Sequence, residues 1–253
     1  MTRFSENKKE REPEAYLYAS DKARLVAMVK EMADFAAESL QKAVDALSSR
    51  NMELARAVIE EDDRIDTMEE EIDQECLYSI AMRQPMREDL RFVYAVMKII
   101  TDIERIGDQA VNIAMRMLSL FDETGGKACL CPMLRQIKEM DEGNRAMLEE
   151  IVMAFVNEDE NIIYSIESKR KELRQIGKTA ISDLIKDPSL VDEKTESPRA
   201  AIFIAMLILH HMGRVSDHCL NLAEKVYFIV TGISPMTHKL QERAAAGSKK
   251  LMQ

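Results

Sequence analysis

The chain has 253 residues, 32 % of them charged and 46 % hydrophobic, which suits one large or two small helical domains. Its net charge of −10 excludes phosphate-driven binding to nucleic acid, so no nucleic-acid partner is expected. No apolar run reads as long enough to cross a bilayer, and the N-terminal stretch MTRFSENKKEREPEAYLY lacks the apolar segment of a signal peptide, so the expected location is the cytoplasm.

Residues 1–20 read as a charged tail with little apolar periodicity. From Glu14 to Gln84 there is neither Gly nor Pro, a run expected only of long helices. A turn is expected at Ser48–Asn51, with Asn51 capping a second helix that Pro85 ends, and a third helix starts near Arg87. Phe121–Pro132 reads as a loop, after which the pattern recurs. Met133–Val156 is the fourth helix, Asp159 caps the fifth, Lys186–Pro198 is a polar loop, and Arg199–Val230 is the sixth helix, ended by Thr231–Pro235. Residues 234–253 form a second charged tail.

Three helices therefore occur twice, over residues 21–126 and 127–233. Helices of roughly 25–30 residues are ~40 Å long, and short connections make neighbours antiparallel. The expected fold is all-α, two tandem antiparallel three-helix bundles packed side by side. The 18 methionines read as padding between helices, Cys76 and Cys219 as small core residues, and the lone CxC of Cys129 and Cys131 as incidental.

The duplication is clearest in one segment. Residues 104–114 read ERIGDQAVNIA, and residues 213–224 read GRVSDHCLNLAE about 109 positions later. In the first copy Glu104 and Asp108 lie one helical turn apart on a shared face; in the second the glutamate is replaced by Gly213. On the second helix, Val58, Ile65, Ile72 and Cys76 mark the apolar centre, with Asp62, Asp66, Glu69 and Asp73 on one edge of it. On the third, Val96, Ile99, Ile103, Ala110 and Ala114 form the centre, Glu104 and Asp108 sit on its shoulder, and Gly107 lets a neighbouring helix approach. Arg64 and Arg105 are expected to point away. If the two shoulders face each other, partly buried like charges converge and need protons or a cation; oxygen-only ligation suits Fe, Mn, Mg or Ca, with Zn also admissible. The alternative is a solvated acidic helix edge.

The stretches ARAVIEEDDRIDTMEEEID, RQPMREDLRFVYAVMKIITDIERIGDQAVNIA and HHMGRVSDHCLNLAEKVYFIVTG resemble the PhoU family across residues ~20–233. The resemblance implies two PhoU-like three-helix bundles and a cytoplasmic regulator of phosphate homeostasis that is not an enzyme. It further implies contact with a phosphate ABC transporter and its sensor histidine kinase, repressing the phosphate-starvation response. Dimers are common in that family, while the sequence is compatible with either a monomer or a homodimer. Its E/D-x-x-x-D motifs, which bind iron or zinc clusters, match Asp62 and Asp66 with Glu104 and Asp108; Glu69 is added by the helical wheel. The expected cofactor is a metal ion or cluster of Fe, Zn, Mn or Mg in the first bundle.

The second half departs from this pattern. At a shift of 108, Asp62 becomes Arg170, Asp66 becomes Arg174, Glu69 becomes Gly177 and Asp73 becomes Ile181. Of the ERIGD pair only the aspartate remains, as Asp217. A cation site cannot survive two arginines in its ligand positions, so Arg170 and Arg174 are expected to pair with Asp217, an anion pocket being the alternative. His210, on the face of Asp217, is the one residue that could restore a ligand there; His211 and His218 lie on another face. Competing functions are an accessory protein of another phosphate transporter and a di-iron carboxylate enzyme. The latter needs two Glu-x-x-His motifs, and no histidine here has a Glu three residues before it.

Overall fold

The computed structural model describes residues 19–123, 131–186 and 198–234. Among them are seven helices and no strand: α1 (Ala19–Ser49), α2 (Met52–Glu60), α3 (Asp62–Arg83), α4 (Glu88–Glu123), α5 (Cys131–Asn157), α6 (Ile162–Lys186) and α7 (Pro198–Thr231). Helices α1 to α4 form one three-helix bundle, with α2 and α3 in series along one edge, and α5 to α7 form another. The bundles pack side by side, α4 against α7 and α1 against α5.

Local chemistry explains most of the boundaries. Asn51 caps α2, its side chain accepting from the backbone N–H of Leu54 at 3.0 Å, after Arg50 turns the chain at φ 56. Gln84 ends α3 in the left-handed conformation, its N–H bonded to the Ile80 carbonyl, and Pro85 cannot resume the helix. Asp159 Oδ1 accepts from the Asn161 backbone at 3.0 Å, a side-chain turn that leads into α6. Gly232 stops α7 at φ 72, where a Cβ would also lie 2.6 Å from Arg91 Nη1. Arg91 itself donates to the Ile229 carbonyl at 2.9 Å, so a side chain of α4 caps the end of α7.

Three expectations need correction. The second predicted helix is not continuous: Glu61 sits between α2 and α3, and its N–H reaches back to Ala57 and Ile59. Lys42 of α1 holds the Glu61 carboxylate at 2.9 Å, while Asp62 and Asp63 occupy the first turn of α3, where acidic side chains face the positive end of the helix. The loop expected at Phe121–Pro132 is shorter, because α4 runs to Glu123 and α5 starts at Cys131; Cys129 and the Cys131 side chain lie outside the described residues, as do residues 14–18 and 187–197. Finally, α7 does contain a stretch, Ala200–Thr231, long and apolar enough by length and composition to cross a membrane. Its composition has a second source: α7 packs on α4, α5 and α6, so it is apolar on several faces.

One continuous core runs through both bundles, from Leu25 and Met32 of α1 through Ile100, Ile103 and Ile113 of α4 to Ile208, Met212 and Val226 of α7. Cys76 and Cys219 belong to it, and burial pushes each thiol up to about 12, so neither is a ready nucleophile or ligand. Phe92 of α4 stacks on Phe155 of α5 at 5.8 Å, closing one end of the seam.

Candidate functional site

The acidic shoulder is built where α3 meets α4. A Cβ added to Gly107 would sit 2.7 Å from Ile65 Cδ1, so the α4 backbone lies directly against a fully buried side chain of α3. This close approach sets the edges of the two helices beside each other. Asp62, Asp66 and Glu69 then line the α3 edge, and Glu104 and Asp108 the α4 edge. Burial raises the Glu104 carboxyl to about 7; Asp108 adds to the effect, Arg105 offsets part of it, and Glu69 and Asp66 contribute further. Burial also raises Asp62, followed by the charges of Asp66, Asp108 and Asp63. All five predicted acidic residues thus share one electrostatic neighbourhood, although Asp66 is exposed.

Their side chains do not converge on one point. Among the described residues no three His, Cys, Asp or Glu side chains are placed to hold a single metal ion. Two contacts account for this. Thr101 donates to Glu69 Oε1 at 3.0 Å, holding that carboxylate against α4. Arg105, expected to point away, instead lies between its neighbours, with Nε 3.3 Å from Glu104 Oε2 and Nη1 3.3 Å from Asp108 Oδ2. The wheel placed its Cα correctly, but a side chain of that length reaches back over an adjacent turn. Arg64 does face away, over the Phe35 ring at 4.6 Å.

The donor chemistry nonetheless fits a hard or intermediate cation. The candidate donors are all carboxylate oxygens, burial and then the neighbouring Asp108 charge raise Glu104 to about 7, and Arg105 beside it is 54 % exposed. One turn beyond Glu69, Asp73 Oδ1 is buried without a hydrogen-bond partner.

The corresponding shoulder of the second bundle, between α6 and α7, has the opposite character. Arg170 Nε donates to Asp217 Oδ1 at 2.7 Å, and Arg174 Nη2 approaches Oδ2 at 3.5 Å, so both arginines meet the retained aspartate. At Gly213, the place of Glu104, an added Cβ would meet nothing within 4 Å. Gly177, in the place of Glu69, lies near Met140, 3.3 Å from where its Cβ would be. His210 is exposed and edge-on to His211 at 5.9 Å, and it lines the same cleft as Asp217 without bonding to it.

A second set of polar contacts joins His211 and His218 to partners that the sequence did not indicate. His218, 8 % exposed, bonds Asp102 Oδ1 through Nδ1 at 2.9 Å, and Asn221 donates to the same oxygen at 3.0 Å. His211 Nδ1 lies 2.9 Å from Gln109 Oε1. These contacts bridge α7 to α4 and so fix one bundle on the other. Burial lowers His211 to about 4, with the charges of His210, Arg116 and Arg214 adding to the effect, so it is neutral at physiological pH. The seven-residue spacing of the two histidines was visible; their partners, more than a hundred residues away, were not.

The sequence matches the PhoU domain twice, over residues 29–117 and 137–226. The chain is 31 % identical over 228 residues to the phosphate-specific transport system accessory protein PhoU homolog 1 of Thermotoga maritima, covering 87 % of this chain and 89 % of that one. It is 32 % identical over 197 residues to the Pseudomonas aeruginosa PhoU homolog, covering 77 % of each. The fold resembles the crystal structure of PhoU from Pseudomonas aeruginosa, with a TM-score of 0.73 at 28 % identity over 86 % of this chain and all of that one. It also resembles the phosphate transport system regulatory protein PhoU of Streptococcus pneumoniae, with a TM-score of 0.71 at 25 % identity over 85 % of this chain and 97 % of that one. Two matched domains, relatives aligned along most of their length and a shared pair of bundles make this chain a member of the PhoU family.

Proposed function

We propose that this protein regulates phosphate uptake and homeostasis through protein contact. In this reading it engages a phosphate ABC transporter and its sensor histidine kinase at the cytoplasmic face and represses the phosphate-starvation response when phosphate is plentiful. The observation that carries it is the match of both bundles to PhoU domains, with relatives named as phosphate transport accessory proteins. The role is regulatory, not catalytic. Burial holds both described thiols protonated, and the two seam histidines are tied to acceptors across the bundle interface.

In the same reading the first bundle takes a cation. Asp62, Asp66, Glu69, Glu104 and Asp108 hold Fe, Zn, Mn or Mg, singly or as a cluster, and the ion supplies the positive charge that Arg105 and the Glu104 proton otherwise provide. The exposed, acidic face is compatible with a homodimer.

Deleting the gene tests the role. The expected result is phosphate-starvation genes expressed, and phosphate taken up, in phosphate-replete medium, with both reversed by the wild-type chain. A deletion strain with normal repression and uptake sinks the reading. Capture of tagged protein from phosphate-replete cells separates the partners: a transporter of another class in place of the ABC transporter and kinase assigns an accessory role in that other system. Metal analysis of purified Glu104→Gln and Asp217→Asn variants tests the cation. Loss from the first alone is expected, and equal loss from both overturns the assignment to the first bundle.

A further inference from the structure

The cleft between α6 and α7 has a volume of about 290 Å³. Arg174 and Lys178 line it from α6, and His210, Arg214 and Asp217 from α7. We propose that this cleft binds a small tetrahedral oxyanion, either inorganic phosphate or the phosphate group of a small monoester. The inference goes beyond the proposed regulatory role and does not depend on it, because it rests only on this cleft.

Charge is the first support. In a protein of net charge −10, Arg170 and Arg174 both meet the Asp217 carboxylate, and Lys178 and Arg214 line the same cleft as Arg174 and Asp217. Arg170 occupies one oxygen of Asp217 at 2.7 Å, whereas Arg174 reaches the other only at 3.5 Å and is 48 % exposed, leaving most of its fork free. Neither Lys178 nor Arg214 has an ion-pair partner among the described residues. Like charges gathered in this way repel, and an anion placed among them relieves the repulsion.

Shape is the second. Arg174 and Lys178 stand one turn apart on α6, and His210 and Arg214 one turn apart on α7, so donors converge from both walls. Between the members of each pair lies a glycine, Gly177 on α6 and Gly213 on α7, and the space above Gly213 is open for at least 4 Å. The centre of the cleft is therefore vacant and its rim cationic, with arginine forks for bidentate oxygen contacts and a lysine as a point charge. A volume of 290 Å³ lies at the small end of ligand pockets and suits an oxyanion or a short ester rather than a nucleoside triphosphate.

The repeat supplies the third. The positions matching Arg170, Arg174 and Lys178 are Asp62, Asp66 and Glu70, and the positions matching Gly177 and Gly213 are Glu69 and Glu104. Three charges are reversed and two carboxylates deleted along the same two helix edges. A loss of cation binding alone would be met by neutral residues; reversal together with an emptied centre inverts the preference of the site.

Isothermal titration calorimetry of the full chain with inorganic phosphate, glycerol 3-phosphate and sulfate tests the proposal. Saturable binding of inorganic phosphate or glycerol 3-phosphate with Kd of about 1 mM or tighter is expected, weakened at least about tenfold by Arg174→Ala and by Gly213→Glu. The Cβ of Gly213→Glu meets no atom within 4 Å and the change replaces a helical glycine, so the variant is expected to melt no lower than wild type and separates lost binding from lost fold. Binding of glycerol 3-phosphate alone makes the ligand an ester, binding of inorganic phosphate alone makes it the free ion, and equal binding of sulfate makes the site general for tetrahedral oxyanions. No saturable binding up to about 10 mM overturns the proposal, as does equal binding in wild type and both variants, which marks an adventitious ion only. A chain that binds phosphate yet leaves uptake untouched keeps this inference and removes the regulatory role.

Discussion

The two bundles place opposite charge on matching helix edges, and glycine placement separates them. In the first, Ile65 of α3 presses on Gly107 of α4, and the edges carrying Asp62, Asp66, Glu69, Glu104 and Asp108 lie side by side. In the second, Leu173 occupies the place of Ile65 in the repeat but presses on Gly143 of α5, where an added Cβ would lie 2.6 Å from Leu173 Cδ2. The position matching Gly107 is Ser216, fully buried and bonded to Asn144 at 2.6 Å. The branched side chain of the middle helix thus finds its glycine on a different neighbour in each half. One edge pair is brought together with acids on it, and the other keeps a cleft with cations around it. Duplication preserves the packing of apolar stripes; the edges beside those stripes are free to diverge, because a few small residues decide how closely two helices approach.

The largest effect that would sharpen this contrast is expected from crowding the close approach. Gly107→Val forces a side chain into space already taken by Ile65, at a cost of about 2–3 kcal/mol, read as a lower denaturant midpoint. Unchanged stability would show that this contact does not bring α3 and α4 together. Next in size, Arg170→Ala strips Asp217 of its 2.7 Å partner and is expected to cost about 1–2 kcal/mol, with Arg170→Ala/Asp217→Asn recovering part of the loss. Failure of the double variant to recover any stability would mean that Arg170 acts by packing and not by pairing.

Glu104→Gln gives a pH-dependent effect of about 1 kcal/mol, reduced from what the shift alone implies because the cluster is partly solvated. The folded carboxyl titrates at about 7 and its reference value is 4.5, so the folded chain holds the extra proton between these limits. Wild-type stability from this group is therefore full below pH 4.5 and lost as pH rises through 7. In the metal-free protein the glutamine variant is expected to melt above wild type at pH 8 and close to it at pH 5. The same offset at both values would disconnect the residue from the acidic cluster. The smallest effect is a gain: Gly213→Ala enters open space in a helix interior and is expected to add about 0.5–1 kcal/mol, whereas a loss would show the cleft to be closed in solution.

Much of the fold was legible because it depends on short-range rules. Asn51, Pro85 and Asp159 punctuate helices by their own hydrogen bonding or lack of it, and the buried stripe of Val58, Ile65, Ile72 and Cys76 is the one the periodicity indicates. The break at Glu61 was not legible, since it carries no Gly or Pro; it coincides with Lys42 of α1 holding the Glu61 carboxylate and with acidic residues favouring a fresh helix start. At the acidic edge the residue positions could be read from a helical wheel, but the place of Arg105 could not. A wheel records the direction in which a side chain leaves the helix and says nothing of where a long side chain turns to find charge.

The sequence by itself determined that six apolar stripes repeat in two sets of three and that Asp62, Asp66, Glu69 and Glu104 of one half are arginines and glycines in the other, while Asp108 is kept as Asp217. These are properties of residue identity and spacing, and helical periodicity converts them directly into faces. Tertiary structure alone decided which faces meet: that His218 finds Asp102 and His211 finds Gln109 across the seam, that Ile65 and Leu173 choose different glycines, and that an open cleft remains at Gly213. Those outcomes depend on interhelical distance and on packing between residues far apart in the chain, and a period of 3.6 residues carries no record of either.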